Sequence, residues 1–130
     1  MRDLKSNISV VQSLAVANHA ALADGTGVDL LGFNSACAVI SAGVLGGSSS
    51  PSMTFQLQES DDNITFAPVA DADLQGTEPV IAASTALHRI GYIGNKRYIR
   101  VSISAEAGTD PTLFASAIII LGNPESAPVD

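Results

Sequence analysis

Tryptophan is absent from this chain, cysteine occurs once, and aromatic residues make up 5% of it. One thiol can form neither an internal disulfide nor a two-cysteine metal site. A thiol nucleophile needs a base beside it, and the chain has two histidines, His19 and His88, neither near Cys37 in sequence. Cys37 lies in an apolar stretch and reads as a small buried hydrophobe. Basic residues are also scarce, six against thirteen acidic ones, for a net charge of −7. None falls within residues 24–87; they are Arg2 and Lys5, then Arg89, Lys96, Arg97 and Arg100. That leaves no clustered positive surface for phosphates, so no nucleic-acid partner is expected. The segregation does permit a basic edge of one copy to meet an acidic edge of another. Long apolar runs are missing as well. The longest, residues 113–121, is too short to span a bilayer, and residues 1–7 precede no uninterrupted apolar core of a signal peptide. A soluble protein made in the cytosol, with no membrane partner, is the expectation.

What is present points to strands. The chain has 130 residues, enough for one core, and its apolar content is largely Ala, Val and Ile. Eleven glycines and six prolines punctuate it often, which favours short strands over long helices. Residues 51–70 organise the reading as a β-hairpin. Met53, Phe55 and Leu57 alternate with polar residues on the outgoing arm, and Ile64 and Phe66 share a face on the return. Between the arms, residues 59–63 offer Asp and Asn side chains that bond their own backbone and tolerate a reversal. One apolar face needs a second layer to cover it.

The flanking segments supply that layer. Residues 1–22 read as an extended N-terminal arm with one turn of helix, residues 23–122 as the domain, and residues 123–130 as an irregular tail. Residues 36–44 and 113–121 are apolar on both faces, so each is expected to be a central strand covered on both sides. Residues 46–51 read as an exposed loop, and so do residues 106–111. Residues 91–98 read as a hairpin leading into the cleanest alternation, with Ile99, Val101 and Ile103 on one face and Tyr98, Arg100, Ser102 and Ser104 on the other. The fold class predicted is all-β: a single antiparallel β-sandwich or jelly roll of about seven or eight strands.

Nothing in the chain has the spacing of a catalytic or cofactor motif. Glu59, Asp61, Asp62 and Asn63 are oxygen ligands close together, but the glycine and terminal glutamate of a calcium loop do not follow, and a hairpin tip explains them. Asp71 and Asp73 fall on one solvated face without a proton-transfer partner, and His88 reads as an outward polar residue. There is no phosphate loop, nucleophile elbow or histidine-rich metal spacing. No catalytic, cofactor or metal residue is therefore assigned, and the chain does not read as an enzyme. The candidate partner-interface residues are Leu4, Ile8 and Val11, too apolar to dangle in water from an arm, and Arg97, Tyr98 and Arg100 around the last hairpin, of which Tyr98 and Arg100 project from one face.

Two stretches carry a resemblance. Phe55-Gln56-Leu57-Gln58-Glu59-Ser60-Asp61-Asp62-Asn63-Ile64-Thr65-Phe66 looks like the strand, Ser-Asp-Asp turn and aromatic strand of small phage structural proteins. Gly91-Tyr92-Ile93-Gly94-Asn95-Lys96-Arg97-Tyr98-Ile99-Arg100-Val101 resembles their partner hairpin. The opening residues 1–7 and Leu121-Gly122-Asn123-Pro124 are similar to small proteins encoded beside the major capsid protein in tailed bacteriophages. The resemblance implies a head decoration or cement protein on the capsid exterior. Its partners would be the major capsid protein and further copies of itself, as a dimer or trimer. The same two hairpin patterns also resemble discoidin-like carbohydrate-binding sandwiches, which would imply a tail or host-attachment module.

Overall fold

The computed structural model describes residues 2–129. After a 3-10 turn at Lys5–Asn7 come β1 (Ser9–His19), β2 (Ala23–Asp24), β3 (Val28–Asp29) and β4 (Phe33–Ser60). Then follow β5 (Ala67–Pro68), a 3-10 turn at Asp71–Asp73, β6 (Leu74–Gln75), β7 (Val80–Ile81), β8 (Ala86–Tyr92) and β9 (Tyr98–Pro124). The all-β character is as the sequence predicts. The described residues form one continuous nine-stranded antiparallel sheet rather than two separately hydrogen-bonded ones, with its main path in the order β1-β9-β4-β8-β6. β2 and β3 add to β9, and β5 and β7 to β4.

The sheet is built on a ribbon of two very long strands. β4 has 28 residues and β9 has 27, paired antiparallel from Phe33 opposite Pro124 to Ser60 opposite Tyr98. The two stretches read as loops, 46–51 and 106–111, lie inside these strands. Register shifts cluster between Ala42 and Phe55, and the backbone there turns left-handed at Gly47, Ser49, Ser50, Gly108 and Asp110. Glycine and small polar residues tolerate that conformation, so the ribbon bends through bulges while its ladder continues. Short strands expected separately are thereby fused in pairs.

The bend divides the sheet into two halves. In the first, residues 33–45 of β4 and 113–124 of β9 are flanked by β8, β6 and β1. In the second, residues 52–60 and 98–107 are flanked by β5, β7, β2 and β3. Alternate residues of both halves point into one core. Ala38, Ile40, Ile90, Leu113, Ala117 and Ile119 come from the first half, and Met53, Phe55, Leu57, Ile99, Val101 and Ile103 from the second. Hydrogen bonds join the halves at two places. The Ser13 hydroxyl accepts from Val101 N at 3.0 Å, and the Tyr92 hydroxyl donates to Glu59 Oε1 at 2.8 Å.

Three expectations are corrected. In the organising hairpin Met53, Phe55 and Leu57 are fully buried, but Ile64 is 82% exposed and Phe66 only half-buried. The Asp62 carboxylate explains this: it accepts from Ile64 N and Thr65 N and from the Ser60 hydroxyl, widening the tip. The return arm then pairs only at Ala67–Pro68, and Val69 takes the core position. Residues 93–97 are not a hairpin turn. β8 pairs with β4 in the first half, whereas β9 begins in the second, so this segment crosses between them. The crossing is held by Lys96 N donating to the Tyr92 hydroxyl at 3.0 Å. Finally, most of the N-terminal segment read as an arm lies within the domain's own sheet. Ser9–His19 is the edge strand β1, with Ser13 and Leu14 buried. The tail returns to it, Val129 N donating to Ser6 O at 2.7 Å. Met1 and Asp130, at the ends of the predicted arm and tail, lie outside the described residues.

Candidate interaction surface

A strand presents alternate side chains to opposite faces. In the first half the residues between the core positions form an outer face on which no other described strand packs. β9 contributes Phe114, Ser116, Ile118 and Ile120, β4 contributes Cys37, Val39 and Ser41, and β8 contributes Leu87 and Arg89. Val10 and Gln12 of β1 lie beside Ile120 and Ile118. Leu87 is 72% exposed, Val16 73% and Phe114 51%, while Val39, Ile118 and Ile120 are half-buried by their neighbours. Residues 6–23, 33–58 and 111–124 contain no Asp, Glu, Lys or Arg. Arg89 is the one charged side chain that the strands of this half place on the face, among the described residues.

The outer face of the second half is the opposite in character. Arg100 Nε donates to Gln58 Oε1 at 2.7 Å, the Ser102 hydroxyl to the same oxygen at 3.2 Å, and Gln58 Nε2 to Gln56 Oε1 at 2.8 Å. The Arg100 guanidinium also lies 4.1 Å from the Phe66 ring centre and 3.6 Å from Asp24. Arg97 forks onto Asp29 with two contacts of 2.9 Å and lies 5.2 Å from the Tyr98 ring centre. That guanidinium holds the Asp29 carboxyl below the usual range, against an opposing effect of burial. Lys96 pairs with Asp61 at 2.8 Å. This is a polar face satisfied by its own members.

The six residues proposed from sequence therefore form two groups. Arg97, Tyr98 and Arg100 come together on the polar face, and both arginines are engaged within the chain. Leu4 is exposed, Ile8 half-buried and Val11 37% exposed, all at the β1 edge. No hydrogen bond or ion pair joins the two groups among the described residues. Cys37, expected to be buried, is half-buried on the apolar outer face. The carboxylates considered for calcium have other partners: Asp62 caps the turn, Asp61 meets Lys96 and Glu59 accepts from Tyr92.

The reading from sequence missed Val16, Leu87, Phe114, Ile118 and Ile120 as surface residues. The signal was present, because residues 36–44 and 113–121 lack alternation and were read as covered on both faces. The chain itself covers one.

The β1 edge adds a second feature. β1 pairs with β9 on one side and with no described strand on the other, where Ser13 O accepts from Thr26 N at 2.6 Å. Bulges follow Gln12 and Leu14, which leaves Ser9–Gln12 as a regular, uncharged edge next to Leu4 and Ile8. Free edges are ordinarily guarded by charge or proline, and this stretch has neither. Compared with family models, curated proteins and solved structures, the chain matches none.

Proposed function

We propose that this protein is a non-enzymatic virion structural protein: a decoration or cement protein that sits on the exterior of a phage capsid and bridges neighbouring capsomers. It would be made in the host cytoplasm and assembled with the major capsid protein and with further copies of itself. In the same reading the bent ribbon closes as a two-layer sandwich, its halves facing each other across the shared core. The observation that carries the proposal is the unguarded edge at Ser9–Gln12 beside Leu4, Ile8 and Val11. Such an edge offers backbone donors and acceptors, with apolar side chains beside them, to a strand or loop of a capsid subunit. The resemblance of the two quoted stretches to small phage structural proteins supports it. The tail or host-attachment alternative rests on Arg97, Tyr98 and Arg100, and internal pairing of both arginines weakens it.

Binding of the purified protein to undecorated phage heads, by co-sedimentation and electron microscopy, tests the proposal. Removal of residues 2–8, or Val11→Lys, is expected to weaken binding at least about tenfold, because a charge or a lost apolar contact at a docking edge costs above about 1.4 kcal/mol. Circular dichroism should show the sheet intact. Unchanged binding by both variants, or density only at the tail tip, would overturn the assignment.

A further inference from the structure

The apolar outer face of the first half fits one occupant. We infer that it is a second copy of this chain, packed face to face about a two-fold axis that lies between the sheets and runs along the strands. The inference goes beyond the virion reading and stands or falls with no capsid present.

Registers across the face give its rows. One row is Val10, Ile120, Cys37 and Gly91, with the Gln75 side chain of β6 lying against Gly91; the next is Gln12, Ile118, Val39 and Arg89. A third contains Ser116, Ser41 and Leu87, and towards the bend Phe114 lies beside Gly43, whose Cβ position would be 3.5 Å from the Phe114 Cβ. A two-fold axis along the strands maps each row onto itself reversed. Ile120 then faces Cys37 of the other copy, Ile118 faces Val39, Ser116 faces Ser41, and Phe114 faces the bare backbone of Gly43. Ile120, Ile118 and Phe114 each meet a smaller residue, the relief that interdigitating sheet faces need. Gln12 faces Arg89, so the one charge of the face meets an amide oxygen rather than its own like. An isologous contact requires this reciprocity, residue by residue.

Size and charge agree. Four strands about 4.8 Å apart and about nine residues long at 3.3 Å each cover about 20 Å by 30 Å. That footprint of about 600 Å² before corrugation approaches the roughly 800 Å² per partner of a standard specific interface. The net charge of −7 would make two copies repel. None of the acidic residues lies on the strands of this face, so the repulsion is kept at its rim.

Sedimentation equilibrium of the full chain, without capsid, tests the arrangement. The wild type is expected to be a dimer at micromolar concentration. Ile118→Asp should raise the dissociation constant at least about 100-fold by burying an unpaired charge, with an unchanged far-ultraviolet spectrum because Ile118 points away from the core. The register is tested at Gln12, which is exposed: Gln12→Glu should tighten the dimer about three- to tenfold against Arg89, and Gln12→Arg should weaken it. A wild type that stays monomeric at 100 µM, a dimer indifferent to Ile118→Asp, or equal constants for the two Gln12 variants would each overturn the proposal. If the monomer bound heads through Ile118, the occupant would be the capsid instead.

Discussion

Ser13→Ala probes the joint between the two halves of the sheet. Ser13 is 3% exposed, and its hydroxyl sits where β2 has ended and β3 has not begun, opposite Val101. There it accepts from Val101 N at 3.0 Å and donates to Thr26 O at 2.9 Å, supplying the acceptor that a neighbouring strand would have provided. Val101 is 1% exposed, so water does not replace that acceptor. Alanine leaves a buried N–H unpaired, at about 1–3 kcal/mol, whereas Thr26 is exposed and its carbonyl can be rehydrated for about 0.5 kcal/mol. The expected loss is about 2–3 kcal/mol, or about 6–12 °C in melting temperature for a domain of this size. Urea unfolding should show a lower midpoint with an unchanged slope, and the Val101 amide should exchange hydrogen faster than its strand neighbours. A loss below about 0.5 kcal/mol, with Val101 still protected, would refute the argument that this side chain completes the ladder.

Phe55→Ala is expected to cost about 3–5 kcal/mol because the ring is fully buried in the common core. Ile64→Ser, on the widened tip, should stay within about 0.5 kcal/mol of the wild type; reversal of that order in urea unfolding would refute the burial assignment. Glu78 supplies the ladder acceptor on the opposite edge, its carboxylate accepting from Leu57 N at 2.5 Å. Burial, with a smaller push from Asp71 and against the Leu57 hydrogen bond, holds its carboxyl above the usual range. A folded pKa above the unfolded one favours the native state when the group is protonated, and that stabilisation is lost as pH rises through the folded value. Glu78→Gln keeps an acceptor and carries no charge. It should equal or exceed the wild type in stability at pH 7, and that advantage should shrink towards about pH 4. A variant less stable by the same amount at both pH values would contradict this.

The all-β class was legible in the sequence, and so was the inward face of residues 53–57 and 99–103. Both follow from a two-residue period that each strand carries locally, and Met53, Phe55, Leu57, Ile99, Val101 and Ile103 are buried accordingly. The absence of charge from residues 33–58 and 111–124 was legible too. Partner choice was not, because it depends on backbone groups far apart in the chain. Gly-Ser stretches that look like loops stay laddered when left-handed residues at Ser49, Ser50 and Asp110 absorb the bend, which fuses short strands into one ribbon. Ile64 left the core because Asp62 found three donors in its own turn, and the 93–97 segment crossed the molecule because Tyr92 reaches Glu59. An apolar strand says that both its faces want cover. Only the tertiary structure decides which face the chain itself covers, because that depends on where the ribbon bends; here it encloses one face of Ile119 and Ala38 and leaves Ile118 and Val39 turned outward.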